Sequence, residues 1–189
     1  GSDMTLTLLN DRTVCNYMLH LTDVDVELGK IVNKYGAVAG VNGGLYESTG
    51  NTGGLPCGIV VSEGQIQYNN CGSIGGLFLV GFNEDDILVI KDIRKMSNSQ
   101  VEHVIKEEKI RDAIVFQEES SDANNHFVPL IINGETRVAD GLGSGANPRT
   151  AIGQRADGTV LILVTDGRGT GGHLGATATD LIQIMQEYG

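Results

Sequence analysis

Two arginines, one carboxylate and a pair of glycine-rich turns are the parts of this 189-residue chain whose types and spacing suit chemistry. The stretch NPRTAIGQRADGTVLILVTDGRGTGG, Asn147 to Gly172, opens one β-favouring run with Asn147-Pro148-Arg149-Thr150 and closes the next with Asp166-Gly167-Arg168. Asp157-Gly158 between the runs signals a tight hairpin. A hairpin sets the outer ends of its strands side by side, which predicts Arg149 and Thr150 near Asp166 and Arg168. Such a set suits a phosphate-bearing substrate. The arginines offer bidentate contacts to phosphate oxygens, and the carboxylate can transfer a proton or activate water. The same residues are equally consistent with an exposed Arg–Asp ion pair of little energetic weight.

A second candidate is GAVAGVNGGLYE, Gly36 to Glu47. A short apolar strand, Ala37 to Val41, is expected to end in Asn42-Gly43-Gly44. Glycines there let the backbone turn sharply and approach a ligand closely, and Asn42 offers an amide. Read blandly, the same residues are a tight turn after a buried strand. They are no dinucleotide fingerprint, because GxGxxG opening a helix is absent. Gly50 to Gly54 reads as a loop. His173 follows the glycine-rich loop and precedes the last helical pattern; a lone loop histidine is either solvated or a ligand to substrate. His20, His103 and His126 show no partner pattern. Ser144 in Gly141-Leu142-Gly143-Ser144-Gly145 fails as a nucleophile elbow, since Leu142 stands where GxSxG needs glycine. A metal-dependent phosphodiesterase would have to draw on Asp140, Asp166 and His173, which match no metal motif, so neither metal nor cofactor is expected.

Composition narrows the field further. Lys and Arg total 13 against 24 Asp and Glu, for a net charge of -11. That balance argues against nucleic acid and anionic membrane as partners, because both require positive surface to displace counterions. Glycine, at 27 residues without a collagen-like period, belongs to turns and tight loops. Cys15, Cys57 and Cys71 cannot all pair within one chain and have no zinc spacing, so one disulfide plus a thiol and three reduced thiols both remain open. No apolar run is long enough to span a bilayer. Gly1-Ser2 reads as a cleavage scar, and residues 1–3 as an expression-tag remnant.

The elements that must carry these residues are mostly hairpins. Cys57–Val61 and Gln65–Tyr68 flank Glu63-Gly64; residues 127–132 and 135–138 flank Asn133-Gly134; residues 149–155 and 159–164 flank Asp157-Gly158. Type I′ turns, with positive φ at both central residues, are expected at such pairs. Residues 77–82 and 87–90 bracket the acidic turn Asn83 to Asp86. Three helical patterns interrupt the strands. Residues 26–35 place Leu28, Ile31, Val32 and Tyr35 on one face, with Asp23 or Asp25 as cap and Gly36 as stop. Residues 97–110 carry Val101, Val104 and Ile105, with Asn98 or Ser99 as cap. Residues 177–188 carry Leu181, Ile184, Met185 and Tyr188, and Gly189 stands at a C′ position. Strands and helices without βα alternation predict an α+β fold with a mostly antiparallel sheet.

AVAGVNGGLY, LPCGIVVSEGQI, VPLIINGETRV and NPRTAIGQRADGTVLILVTDGR, followed by an amphipathic helix, occur here in that order. In this the chain, from about residue 24 to 189, resembles the phosphodiester glycosidase family. That family includes N-acetylglucosamine-1-phosphodiester alpha-N-acetylglucosaminidase and exopolysaccharide-related bacterial proteins. The resemblance implies a hydrolase that cleaves a sugar-1-phosphodiester at the glycosidic bond and leaves a phosphomonoester. Its shared positions fall on Asn42, Gly43, Gly44, Asn147, Arg149, Thr150, Asp166, Gly167 and Arg168. Arg149 and Arg168 are expected to hold phosphate oxygens. Asp166 is expected to act as general acid/base, with Glu47 as the second carboxylate glycosidases usually need. Asn42 would contact sugar or phosphate, and His173 joins the substrate-binding set. Residues 4–189 are expected to form one such domain, ending at Gly189 before the family's C-terminal Asn-Leu-Asp-Gly-Gly-type segment. The implied partner is a phosphorylated glycan, the protein a possible homo-oligomer, and its place secreted or cell-surface. A carbohydrate- or cell-wall-binding module on the same scaffold is the alternative.

Overall fold

The computed structural model describes residues 4–9, 28–48, 54–117, 129–137 and 145–189. The chain divides into two compact units, residues 13–117 and residues 1–12 with 118–189. Every strand pairing among the described residues is antiparallel, and three α-helices accompany the strands, an α+β architecture.

In the 13–117 unit, α1 (Leu28–Tyr35) ends in a Schellman cap. Gly36, at φ 60°, donates to the Asn33 carbonyl at 3.3 Å, and Ala37 donates to that of Val32 at 3.0 Å. The expected cap residues Asp23 and Asp25 lie outside the described residues. A strand over 37–41 does not form. Among the described residues the segment has no ladder partner, Val38 is 65% exposed, and Gly40 packs so close to α1 that a Cβ on it would lie 2.6 Å from Val32 Cγ2. The chain then enters β2 (Leu45–Ser48), which pairs with β3 (Gly54–Cys57).

A five-stranded sheet forms the body of this unit. Its order is β5 (Gln65–Asn69), β4 (Ile59–Ser62), β8 (Ile110–Gln117), β6 (Leu77–Asn83), β7 (Leu88–Asp92). Central β8 meets the predicted helix only at Ile110, and the sequence pattern predicts no strand over the rest of it. α2 instead runs Asn98–Glu107, and Lys109, at φ 51°, reverses the chain into β8. The strand goes unsignalled because β8 carries charge at Arg111 and Asp112 where an alternating strand pattern would show apolar residues. Ser97, not Asn98 or Ser99, caps α2. Its hydroxyl accepts from Gln100 N while the Gln100 side chain accepts from Ser97 N at 2.8 Å, a capping box. Ile59, Val61, Leu77, Leu79, Ala113 and Val115 on one sheet face pack with Val101 and Ile105 of α2. Phe78, Val80 and Phe82 on the other face of β6 are buried as well, so β6 reads as a continuous apolar run.

One end of this sheet is tied together by β8. Asp112, 4% exposed, accepts from Glu63 N at 3.0 Å and from Arg111 Nε at 2.7 Å, and Arg111 reaches on to Asp86. The two carboxylates hold the Arg111 guanidinium above its ordinary pKa, against the desolvation that opposes its charge. Glu63 and Asp86 are each a non-glycine residue at positive φ in a hairpin turn, so this network holds both turns of the sheet.

In the other unit, β12 (Val160–Thr165) lies between β1 (Met4–Leu9) and β11 (Arg149–Gln154). A short hairpin, β9 (Ile131–Ile132) with β10 (Glu135–Thr136), adds Leu130 and Ile131 to the core. α3 (Ala178–Tyr188) packs Leu181 and Met185 onto Leu161 and Leu163. Gly153 lies under α3, where a Cβ would come within 2.6 Å of Met185 Cε at the end of that side chain. Thr177 caps α3 through a box with Asp180. Glu63-Gly64 and Asn133-Gly134 show the expected two positive φ values, but at Asp157-Gly158 only Gly158 does, at 89°. That turn closes Gly158 N onto Arg155 O at 2.9 Å, a type I turn with a glycine bulge.

Candidate functional site

The β11–β12 register settles how the arginine and aspartate motifs meet. Arg149 pairs with Thr165, Thr150 with Val164, and Asp166 and Gly167 follow directly after the last paired residue. Strand side chains alternate between faces. Arg149 therefore shares the α3 face with Thr165, Leu163 and Ala151, while Thr150 stands on the opposite face across from Val164, which is 41% exposed. Two neighbours in sequence serve different faces.

Each end of the hairpin is shaped to fit the other. Pro148 has no N–H to extend the ladder, and Gly167 is buried against it. A Cβ at Gly167 would lie 2.7 Å from Pro148 N and 2.8 Å from its Cδ. The Arg149 N–H donates to the Thr165 hydroxyl at 3.1 Å. One residue before the proline, Asn147 forms a bridge with Ala176, donating to its carbonyl at 3.2 Å and accepting from its N–H at 2.9 Å.

The Arg149 guanidinium is held from two sides. Nε donates to the Ala176 carbonyl at 3.1 Å and a terminal nitrogen to the Gly145 carbonyl at 3.1 Å. The Ala176 carbonyl thus serves both Asn147 and Arg149. Burial lowers the Arg149 pKa below its ordinary value. Arginine titrates so high that the group still carries its charge near neutrality.

Asp166 and Arg168 are exposed, and Arg168 takes a left-handed φ of 59°, unusual without glycine. The loop beyond folds on itself: Gly169 N donates to the His173 carbonyl at 2.8 Å and Gly172 N to the Gly169 carbonyl at 3.1 Å. His173 is half-buried beneath Gly171, where a Cβ would come within 3.1 Å of the imidazole. Asn147, Arg149, Thr150, Asp166, Gly167, Arg168 and His173 therefore all belong to the hairpin end and the loop leading to α3.

Asn42, Gly43, Gly44 and Glu47 belong to the 13–117 unit. Asn42 is exposed; Gly43 lies so close to β8 that a Cβ would be 2.7 Å from Ile114 Cδ1; Gly44 turns the chain at φ 77°. Glu47 sits in β2 opposite Leu55. Ser144 and Asp140 lie outside the described residues, as do Cys15, His20 and His126. Among the described residues no three His, Cys, Asp or Glu side chains gather as a metal site needs.

Sequence motifs missed Thr165, Gly175 and Ala176. A threonine at a strand end and a glycine ahead of a helix are common features, and only the register shows that they touch Arg149 and Asn147.

Comparison with known proteins decides the family. The family model for phosphodiester glycosidases matches residues 35–189. The chain belongs to the phosphodiester glycosidase family. The match starts at 35 rather than near 24, and it includes both glycine-rich motifs. Among solved structures, the chain is similar to the zebrafish N-acetylglucosamine-1-phosphodiester alpha-N-acetylglucosaminidase catalytic domain auto-inhibited by its pro-peptide. The TM-score is 0.51 and the identity 19%, covering 78% of this chain and 46% of that one. At that identity the likeness is one of fold. The phosphodiester glycosidase chain described here thus spans under half the length of the structure it resembles. No curated protein matches it.

Proposed function

We propose that this phosphodiester glycosidase hydrolyses a sugar-1-phosphodiester, of the N-acetylglucosamine-1-phosphodiester type, at the glycosidic bond. Water adds at the sugar's anomeric carbon, the bond from that carbon to the phosphate oxygen breaks, and the phosphate leaves as a monoester. The observation that supports this reading best is the Arg149 guanidinium, a charge held by two main-chain carbonyls on a strand end paired with Thr165, the residue before the exposed Asp166. A fixed cation loses little freedom on meeting a phosphate, which is what transition-state stabilisation requires.

In this proposal Arg149 and Arg168 bind the phosphate oxygens and offset charge on the leaving group. Asp166 acts as general acid/base or orients the water. Asn42, with Gly43 and Gly44, contacts the sugar or phosphate, Glu47 supplies the second carboxylate, and Asn147, Thr150, Gly167 and His173 complete the substrate-binding set. A phosphate monoester is already a good leaving group, which lessens the demand for a strong acid. The substrate class points to glycans outside the cytoplasm, an exopolysaccharide among them, and so to an exported protein. Among the described residues no helix is long and apolar enough to cross a membrane.

The test is incubation with UDP-N-acetylglucosamine, following free sugar by proton NMR. Wild-type protein is expected to release N-acetylglucosamine, and folded Asp166→Asn and Arg149→Ala variants to lose about 10²-fold or more in kcat/KM. Release of sugar-1-phosphate instead would overturn the glycosidase reading. Retention of full activity in Asp166→Asn would remove that residue from the mechanism.

A further inference from the structure

We infer that Cys57 and Cys71 become joined by a disulfide when the protein meets a disulfide oxidant. They are the two cysteines among the described residues, both thiols here, Cys57 half-buried and Cys71 buried. The β4–β5 ladder brings their main chains together. Its last paired residues are Ile59 and Asn69. One step further out, Asn70 N donates to the Gly58 carbonyl at 2.7 Å, and Gly58 N donates to Asn70 Oδ1 at 2.6 Å. Cys57 and Cys71 are the next residues on either side of that clasp.

Further contacts turn the two residues toward one place. Cys57 pairs with Leu45 across β2–β3, so the two side chains share a face of that hairpin. Leu45 packs on the buried cluster to which Cys71 belongs. Cys71 N donates to Asn69 Oδ1 at 3.2 Å, which holds the start of its turn against the ladder. Gly58 is pressed onto β8, where a Cβ would lie 2.3 Å from Val115 Cγ2, so the clasp is fixed in the sheet. A disulfide needs Cα atoms within about 7 Å. Each cysteine Cα stands one step of about 3.8 Å from a residue of the clasp.

Oxidised glutathione is an oxidant of the required class. Cys57, the more exposed thiol, loses its proton to solvent and attacks one glutathione sulfur. The glutathione S–S bond breaks and one glutathione thiolate leaves. The Cys71 thiolate then attacks Cys57 Sγ, forming the Cys57–Cys71 bond and releasing the second glutathione. Two protein thiols are oxidised and one disulfide is reduced. Burial pushes the Cys71 thiol up to about 11, so the second step is the slower one and quickens as pH rises. Outside the cytoplasm, where the proposed function puts the protein, such oxidants prevail. The bond ties β3, and through it β2, to the five-stranded sheet. β2 follows directly on Asn42-Gly43-Gly44, so the bond braces a hairpin beside a motif of the proposed site, although its formation does not depend on that function.

The full chain is reduced, desalted and incubated with oxidised glutathione at about pH 8. Remaining thiols are blocked with N-ethylmaleimide, and the unreduced protein is cleaved after glutamate, which separates the two cysteines at Glu63. Mass spectrometry is expected to show the Cys57 and Cys71 peptides linked, two hydrogens lighter than their sum. The thermal midpoint should rise by about 5 °C or more on oxidation, and Cys57→Ser should abolish that rise. Cys57 left free or capped by glutathione beside an unlinked Cys71 would overturn the inference. A link from either residue to Cys15, or a midpoint rise that persists in Cys57→Ser, would overturn it too. Sugar release, present or absent, bears only on the functional reading, because the peptide map decides the bond by itself.

Discussion

Gly175 lies against Asn147 so closely that a Cβ on Gly175 would sit 2.5 Å from the Asn147 carbonyl carbon and oxygen. Gly175 also takes a φ of 101°, a region that side chains rarely adopt. This contact lets Ala176 bridge to Asn147, and the same Ala176 carbonyl receives Arg149 Nε. A missing side chain is thus part of how the arginine is held.

Substitution at two loop glycines separates close approach from backbone strain. Gly175→Ala combines an unfavourable φ with overlap of main-chain atoms and is expected to cost about 3 kcal/mol or more. Gly169→Ala has φ 79° but open space around the added carbon, so about 1 kcal/mol is expected. Urea denaturation of both variants checks the order. Equal costs would mean that the Asn147–Ala176 bridge shifts freely.

Asp112 is the keystone of the β8 end. Asp112→Ala should cost about 2–4 kcal/mol, because it strands the Glu63 N–H and one side of the Arg111 guanidinium. Asp112→Asn keeps an acceptor for Glu63 N and should cost less. A shift in urea midpoint is the measurement, and an Asn variant as unstable as Ala would show that the charge matters more than the acceptor.

Burial pushes the Cys71 thiol up to about 11, opposed by a main-chain hydrogen bond. The folded protein therefore holds this proton more tightly than the unfolded chain does. The resulting stability is fully present below about pH 9 and declines as pH rises toward 11. Native protein treated with iodoacetamide at pH 8 should show an unmodified Cys71 peptide by mass spectrometry, modified only after unfolding. Labelling in the native state would contradict its burial.

Loss of a helix cap gives a smaller effect. Ser97→Ala removes the hydroxyl that accepts Gln100 N in the α2 capping box and should cost about 1 kcal/mol. Asn98→Ala also touches a contact, the Gly72 N–H to Asn98 Oδ1 bond at 2.7 Å, but leaves the cap in place. Thermal midpoints and helical circular dichroism distinguish the two variants: α2 frays in the first and not in the second.

Most of the elements were legible in the sequence because they are encoded locally. Glu63-Gly64 and Asn133-Gly134 demand left-handed turns, Gly36 marks the end of α1 by its own backbone preference, and the motif around Arg149 and Asp166 is contiguous within each strand. What failed was decided by partners distant in the chain. Ala37–Val41 has the composition of a strand but pairs with no strand among the described residues. Residues 110–117 lack a clean alternation because Asp112 is buried with Arg111 and the Glu63 N–H, so a charge stands where a pattern would show an apolar side chain. At the site, the sequence by itself determined which chemistry-bearing residues lie at the two strand ends and that one hairpin joins them. Only the tertiary structure decided that Arg149 and Thr150 face opposite ways, that Thr165 takes the Arg149 N–H, and that Ala176 holds the guanidinium. Those outcomes depend on strand register and on how closely Gly167 and Gly175 allow two backbones to approach, and neither is a property of any one segment.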